Sequence, residues 1–436
     1  MVTRRARQAA EAPPRADGEV PGGARLNRRH WLVFAVCVAG AFFDSMDLQV
    51  MALVSPVLLR EWALTPTTVG VLAAAAMLGM LVGSLVFGRV ADRIGRRPAF
   101  LVTVAVFAGF GALCAAAQGP AQLTVLRFCV GVGMGGFIPV DTAMLHEFLP
   151  AGARARLLAL WALAFPVGAL AATALVRSAL PATGWRGAFL LCALPAVLLF
   201  PLRRLVPETP AFLLAQGRTA EAERSLGWIS LGAPVRVDPP APRLRPTLLS
   251  ALHRSTTALT GLLWFTWSFA YFGVILWLPT LLVLAGMPLA QVFAYTLGFQ
   301  VAAILGRVAM LPVIRVVGLP AVVVGTGIGA AALVLWFGAL PAAGLLVVAG
   351  YGLSFCQEGG FSGIVPFTPQ LYPVELRSGG VGAANAAGRV ASLLAPLLVG
   401  VLTTAGQRHV VFVVFALCFL AAGVTALALR GHRGPA

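Results

Sequence analysis

The chain has 436 residues, of which 59% are hydrophobic and 11% charged, and its mean hydropathy is +0.90. Soluble globular proteins carry about 25% charged residues, so this composition excludes one and marks an integral membrane protein. The formal charge is +17, from 32 basic and 15 acidic residues, and every basic residue is Arg. The arginines gather in tails and alternate connections, which is a topogenic pattern rather than a nucleic-acid footprint.

Residues 1–30 are rich in Arg, Ala and Pro and read as a disordered tail. The tail is too long, and the apolar run after it too extended, for a cleaved signal peptide. Six span-length apolar stretches follow, near 31–57, 67–87, 98–118, 121–147, 156–178 and 187–205 (spans 1–6). A polar connector covers 206–255, and six more stretches lie near 256–284, 290–313, 319–340, 343–366, 379–403 and 409–430 (spans 7–12), ahead of a short tail at 431–436. The domains expected are therefore two six-helix bundles, 31–205 and 256–430, in an all-α membrane protein. Arg25, Arg28 and Arg29 precede span 1; Arg89, Arg93, Arg96 and Arg97 follow span 2; Arg154 and Arg156 follow span 4; and the connector holds many more. Odd-numbered connections hold few, so the tails, the connector and the even-numbered loops are expected on the cytoplasmic side of a plasma or inner membrane. The six cysteines lie in apolar stretches without paired spacing and read as small hydrophobes, not as ligands or disulfides.

Span 1 carries Asp44 and Asp47 inside an otherwise apolar run. A carboxylate in hydrocarbon is expensive and usually faces a polar cavity where it handles an ion or substrate. Spacing by three puts both acids on one helical face, about 4.5 Å apart along the axis. Asp44 lies about 20 Å into the run, at the depth where secondary transporters place their sites. The plainer alternative is a pair of acids at a helix end.

Between spans 2 and 3 stands Gly88-RVADRIGRR-Arg97, read as a glycine-marked tight turn holding Asp92 among arginines. Gly88-Arg89-Val90-Ala91 recurs as Gly306-Arg307-Val308-Ala309, and Leu149-Pro150-x3-Arg154 as Tyr372-Pro373-x3-Arg377, which points to a duplicated half. The loop resembles the signature of the major facilitator superfamily, and the resemblance extends over roughly residues 30–430. Arg127–Arg156 is similar to that superfamily's fourth span and its exit. Pro207-Glu208-Thr209-Pro210 resembles the mark after span 6 in its sugar-porter-like branches. Asp44-Ser45-Met46-Asp47 and the segments Trp264–Pro279 and Thr368–Pro396 resemble its niacin-type and aromatic-acid:proton symporter branches. The resemblance implies twelve helices in two six-helix bundles that rock about a central site. Gln370, Asp141, Glu358 and Met310 depart from the family pattern, which leaves the substrate open.

The remaining in-span polar residues sort by depth. Arg389, about 15 Å into span 11, shares a face with Asn385 and Ser392 and suits a carboxylate; its alternative is a packing pair with Glu358. Gln357 and Glu358 lie mid-span 10 among glycines. Trp264, Trp267 and Tyr271 share a face of span 7, either as a wall for a flat ring or as ordinary packing. Arg127, Asp141, Asp44 and Asp47 are the candidates for proton coupling. Arg389, Asn385, Gln357, Glu358, Trp267 and Tyr271 are the candidates for substrate. Gly88, Asp92, Arg93, Gly95, Arg96, Arg97, Glu147, Arg154, Glu208 and Arg377 are candidates for a cytoplasmic gate. There is no Walker, H-E-x-x-H or G-x-S-x-G motif, so neither a nucleotide-driven pump nor an enzyme is expected, nor any cofactor or metal. The expected activity is proton-coupled uptake of a small organic anion such as an aromatic or pyridine carboxylate, by a monomer whose partners are substrate, proton and bilayer. Uptake of a sugar, polyol or other metabolite, or efflux of a drug-like compound, is the alternative.

Overall fold

The structure, a computed structural model, describes residues 26–231, 253–339, 343–373 and 376–432. The expected disorder of residues 1–25, the arginines at 236, 243 and 245 and most of the C-terminal tail lie outside these residues. Ten described stretches are long and apolar enough to cross a membrane. One of them, Gly152–Arg204, breaks after Pro181 at Gly184 (φ 63°, ψ −172°) and makes two passes. Helix Ala343–Phe367 adds another, less apolar because Ser354, Gln357, Glu358 and several glycines occupy its middle. The described residues therefore make twelve passes in two six-helix bundles.

Most spans run longer than the apolar stretches that mark them. Span 1 is Arg28–Glu61 and span 2 is Pro66–Ile94. Residues 28–30 are thus helix rather than tail. The Asn27 side chain caps span 1 by accepting from the Arg29 and His30 amides, and its own amide donates to the Ile229 carbonyl at 2.7 Å. Gly88 is likewise inside a helix, with open space around it, and the turn expected there is confined to Gly95 (φ 103°). Arg89, Ala91 and Arg93 favour a helix, and Asp92 bridges to Arg96 across the turn at 3.1 Å.

Neighbour relations repeat between the halves. Span 1 packs on 5, 2 on 4 and 3 on 4; correspondingly 7 packs on 11, 8 on 10 and 9 on 10. Spans 2 and 4 approach closely because Gly79 and Gly131 leave room, each facing the other helix's backbone. The halves meet through 2 with 11, 5 with 8, and 1 with 7, as a two-fold relation between them demands. At the arginine-poor end, Thr67 and Thr404 hydroxyls lie 2.8 Å apart and Gly70 abuts Pro396. Two short helices, Pro210–Ala215 and Thr219–Ile229, tuck the connector beneath the first half.

Candidate functional site

The two acids of span 1 have different surroundings. Asp47 receives a fork from Arg127, with Nη1 to Oδ1 at 2.8 Å and Nη2 to Oδ2 at 2.7 Å. Arg127 is 0% exposed, and its guanidinium also lies 5.8 Å from the Phe189 ring. Asp44 is as deeply buried, but neither of its oxygens has a hydrogen-bond partner. The same holds for Asp141 on span 4, which Gly40 admits beside span 1: a Cβ there would lie 3.0 Å from Asp141 Oδ2. Across the boundary between the halves, Arg389 is the charge of opposite sign that Asp44 senses. No ion pair or hydrogen bond joins them. Asn385 and Ser392 share Arg389's helix, but each donates to its own backbone, Asn385 to Val381 at 3.0 Å and Ser392 to Arg389 at 2.8 Å.

Glu358 does not pair with Arg389. It accepts from Tyr271 at 2.6 Å and from Arg307 Nε at 2.5 Å, while Arg307 Nη1 reaches the Ala162 carbonyl in the first half at 2.7 Å. Arg307 belongs to the second copy of the repeated tetrapeptide. Its counterpart Arg89 is exposed and folds back onto Leu85, so the duplicated arginine has turned inward in one half only. Beside this cluster a cavity opens, lined by Gln49, Tyr271, Phe299, Gln300, Gln357 and Glu358 among others. Gln300 donates to Gln49 at 3.3 Å, a bond between the halves. Trp267 is not among the lining residues. It is fully buried edge-on to Phe361 and Phe419, and Trp264 donates to Thr368. The shared face of span 7 is real, since Trp264, Trp267 and Tyr271 all contact Phe361, but only Tyr271 reaches the cavity.

Of the residues expected to form a gate, Glu147, Glu208, Arg96 and Arg97 lie near one another, while Arg154 and Arg377 bond elsewhere. Glu208 accepts from the Arg96 and Arg97 amides, both at 2.9 Å, and so caps the first turn of span 3, helix Arg96–Cys114. Gly95 is required there, because any Cβ would meet the Glu208 carboxylate and the backbone φ is positive. Glu147 accepts from the Ala211 amide at 2.9 Å. Arg154 donates to Leu149 and Arg377 to Pro369, each within its own half. The Asp92 side chain is 71% exposed with its bridge to Arg96, and Arg93 is exposed. Glu208→Ala should remove a charged cap and lower stability by about 1–2 kcal/mol, while substrate affinity stays unchanged. Thermal unfolding and a binding isotherm on the purified variant check both parts; a lost affinity would move Glu208 into the site.

The model of the Major Facilitator Superfamily matches residues 37–356. The chain belongs to this superfamily. Among curated relatives of this major facilitator protein, the niacin transporter NiaP of Acinetobacter baylyi is 32% identical, covering 91% of this chain and 92% of that one. The gallate transporter of Pseudomonas putida is 28% identical, covering 92% of each. Among solved structures, the inward-open xylose transporter XylE from E. coli superposes with a TM-score of 0.74 at 16% identity, covering 92% of this chain and 96% of that chain. That likeness concerns the fold.

Against this background, three residues at or beside the cavity escaped the reading of the sequence. Arg307 passed as the repeat of a loop arginine, although Val308–Val313 continues the apolar run beyond it and so buries it. Gln49 and Gln300 are uncharged, and a search for in-span charges passes over them.

Proposed function

We propose that this major facilitator protein imports a small aromatic or pyridine carboxylate together with protons, across a plasma or inner membrane with both termini cytoplasmic. The observation that carries the reading is Asp44, buried with both oxygens unpartnered and with Arg389 of the other half within electrostatic reach. A buried charge must be met by a counter-charge or by a proton. With no anion present, Arg389 serves as the counter-charge for Asp44. When a substrate carboxylate engages Arg389, that compensation is withdrawn and Asp44 takes a proton, so anion and proton load together. Asp141, within electrostatic reach of Asp44, offers the next site for that proton. Relatives named for niacin, gallate, gentisate and benzoate support an aromatic or pyridine carboxylate as the cargo. The arginine-rich ends of the spans support the orientation.

Uptake of labelled benzoate and nicotinate by cells expressing the protein tests the reading directly. Accumulation should collapse with a protonophore. Asp44→Asn should exchange labelled for unlabelled acid but fail to concentrate it, because an amide cannot carry a proton. Accumulation by Asp44→Asn at the wild-type level would remove the proton-coupling role. Uptake of a sugar in place of both acids would replace the substrate class.

A further inference from the structure

The cavity beside Glu358 contains hydrogen-bond donors that nothing in the protein uses. Gln49 accepts from Gln300 through its oxygen, and its amide nitrogen is enclosed without a partner. The Gln357 amide nitrogen is likewise enclosed and unpartnered. Both residues are 3% exposed, and both line the cavity, one from each half of the protein. Of the other groups nearby, Tyr271 donates to Glu358, Thr296 donates to its own helix, and both Glu358 oxygens accept, which leaves the two amides as enclosed donors without a partner. An unpartnered buried donor is costly, so such a donor on a cavity is met by a ligand or by an ordered water. A group that accepts a hydrogen bond meets these two donors.

The cavity lies where span 1 of the first half meets spans 7, 8 and 10 of the second, and Phe299 offers it a ring face.

We infer that Gln49 and Gln357 are specificity-determining residues that select aromatic carboxylates carrying a hydrogen-bond acceptor, such as a ring nitrogen, on the ring. The inference rests on the aromatic-acid reading above and adds to it a preference among such acids. A benzene ring leaves both amides unpaired, whereas a pyridine nitrogen of nearly the same size satisfies one. Sites that hydrogen-bond their ligand discriminate strongly against the analogue that lacks the group.

Nicotinate and benzoate, which differ by one ring atom, are the probes, and binding to the purified full chain is the readout. Wild type should bind nicotinate roughly ten- to a hundredfold more tightly than benzoate, the span expected when a buried donor is left unpaired. Gln357→Met and Gln49→Met keep the volume and delete the donors. Each should weaken nicotinate by roughly tenfold and leave benzoate within about twofold, so benzoate binding also reports that the variants fold. Equal affinities in wild type, or parallel losses of both acids in the variants, would overturn the selection while the aromatic-acid reading stood. Failure of wild type to bind either acid would defeat both.

Discussion

Asp47→Asn should destabilise the protein more than any other single change in the first half. The Arg127 guanidinium is 0% exposed and its fork is filled by the two Asp47 oxygens at 2.8 and 2.7 Å. Removing one member of a buried pair leaves the other charge uncompensated, at a cost of about 3–5 kcal/mol. In a detergent melt this should appear as a fall on the order of 5–10 °C in the unfolding midpoint. Arg127→Met should do comparable damage by stranding Asp47. The double variant Asp47→Leu/Arg127→Met should recover most of the stability, because two apolar side chains of suitable volume replace a buried ion pair at little cost. Transport separates a structural pair from a coupling one. If the double variant is stable yet cannot accumulate substrate, the pair opens during the cycle; if it accumulates normally, the pair only holds spans 1 and 4 together. A double variant as unstable as the single ones would contradict the ion-pair account.

The sequence revealed what depends on periodicity and composition. Twelve apolar runs gave the passes, because a hydrocarbon core of about 30 Å sets their length. Acids isolated in an apolar run marked Asp44 and Asp47, and depth along the helix marked Arg389. Pairing was not legible, because it depends on which helices become neighbours. Asp47 and Arg127 lie on spans 1 and 4, and nothing local shows that they meet while Asp44, one turn earlier, is left unpartnered. Glu358 raised the same problem: the nearest candidate by depth was Arg389, whereas the fold supplied Arg307 from span 8. The Gly88–Arg97 segment was misjudged as a loop because hydropathy stops where the bilayer does. The helix continues to Ile94, and only the positive φ of Gly95 ends it. The aromatic stripe of span 7 could not say which of its members faced a cavity, since core packing and ligand contact use the same residues; Trp267 took the first role and Tyr271 the second.

Arg389→Ala should abolish recognition of the carboxylate. Arg389 stands on span 11 with no ion pair of its own and Asp44, from the other half, as the acid it senses. A guanidinium in this setting offers a planar fork to an anion, and losing it would leave the substrate's charge buried and unpaired. The corresponding loss is about 3–5 kcal/mol, or roughly two to three decades in affinity. Arg389→Lys should restore part of this, since an ammonium supplies the charge without the fork. The amide analogue of the substrate provides the internal control. It should bind wild type weakly and lose far less than the acid on Arg389→Ala, because it brings no charge to be met. Asp44 should make the two effects interdependent: in Asp44→Asn, Arg389 is no longer drawn toward a carboxylate, so the acid should bind more tightly than to wild type at a pH where Asp44 is ionised, and the gain should vanish in Asp44→Asn/Arg389→Ala. Equal losses of acid and amide on Arg389→Ala would instead assign Arg389 to the packing of span 11.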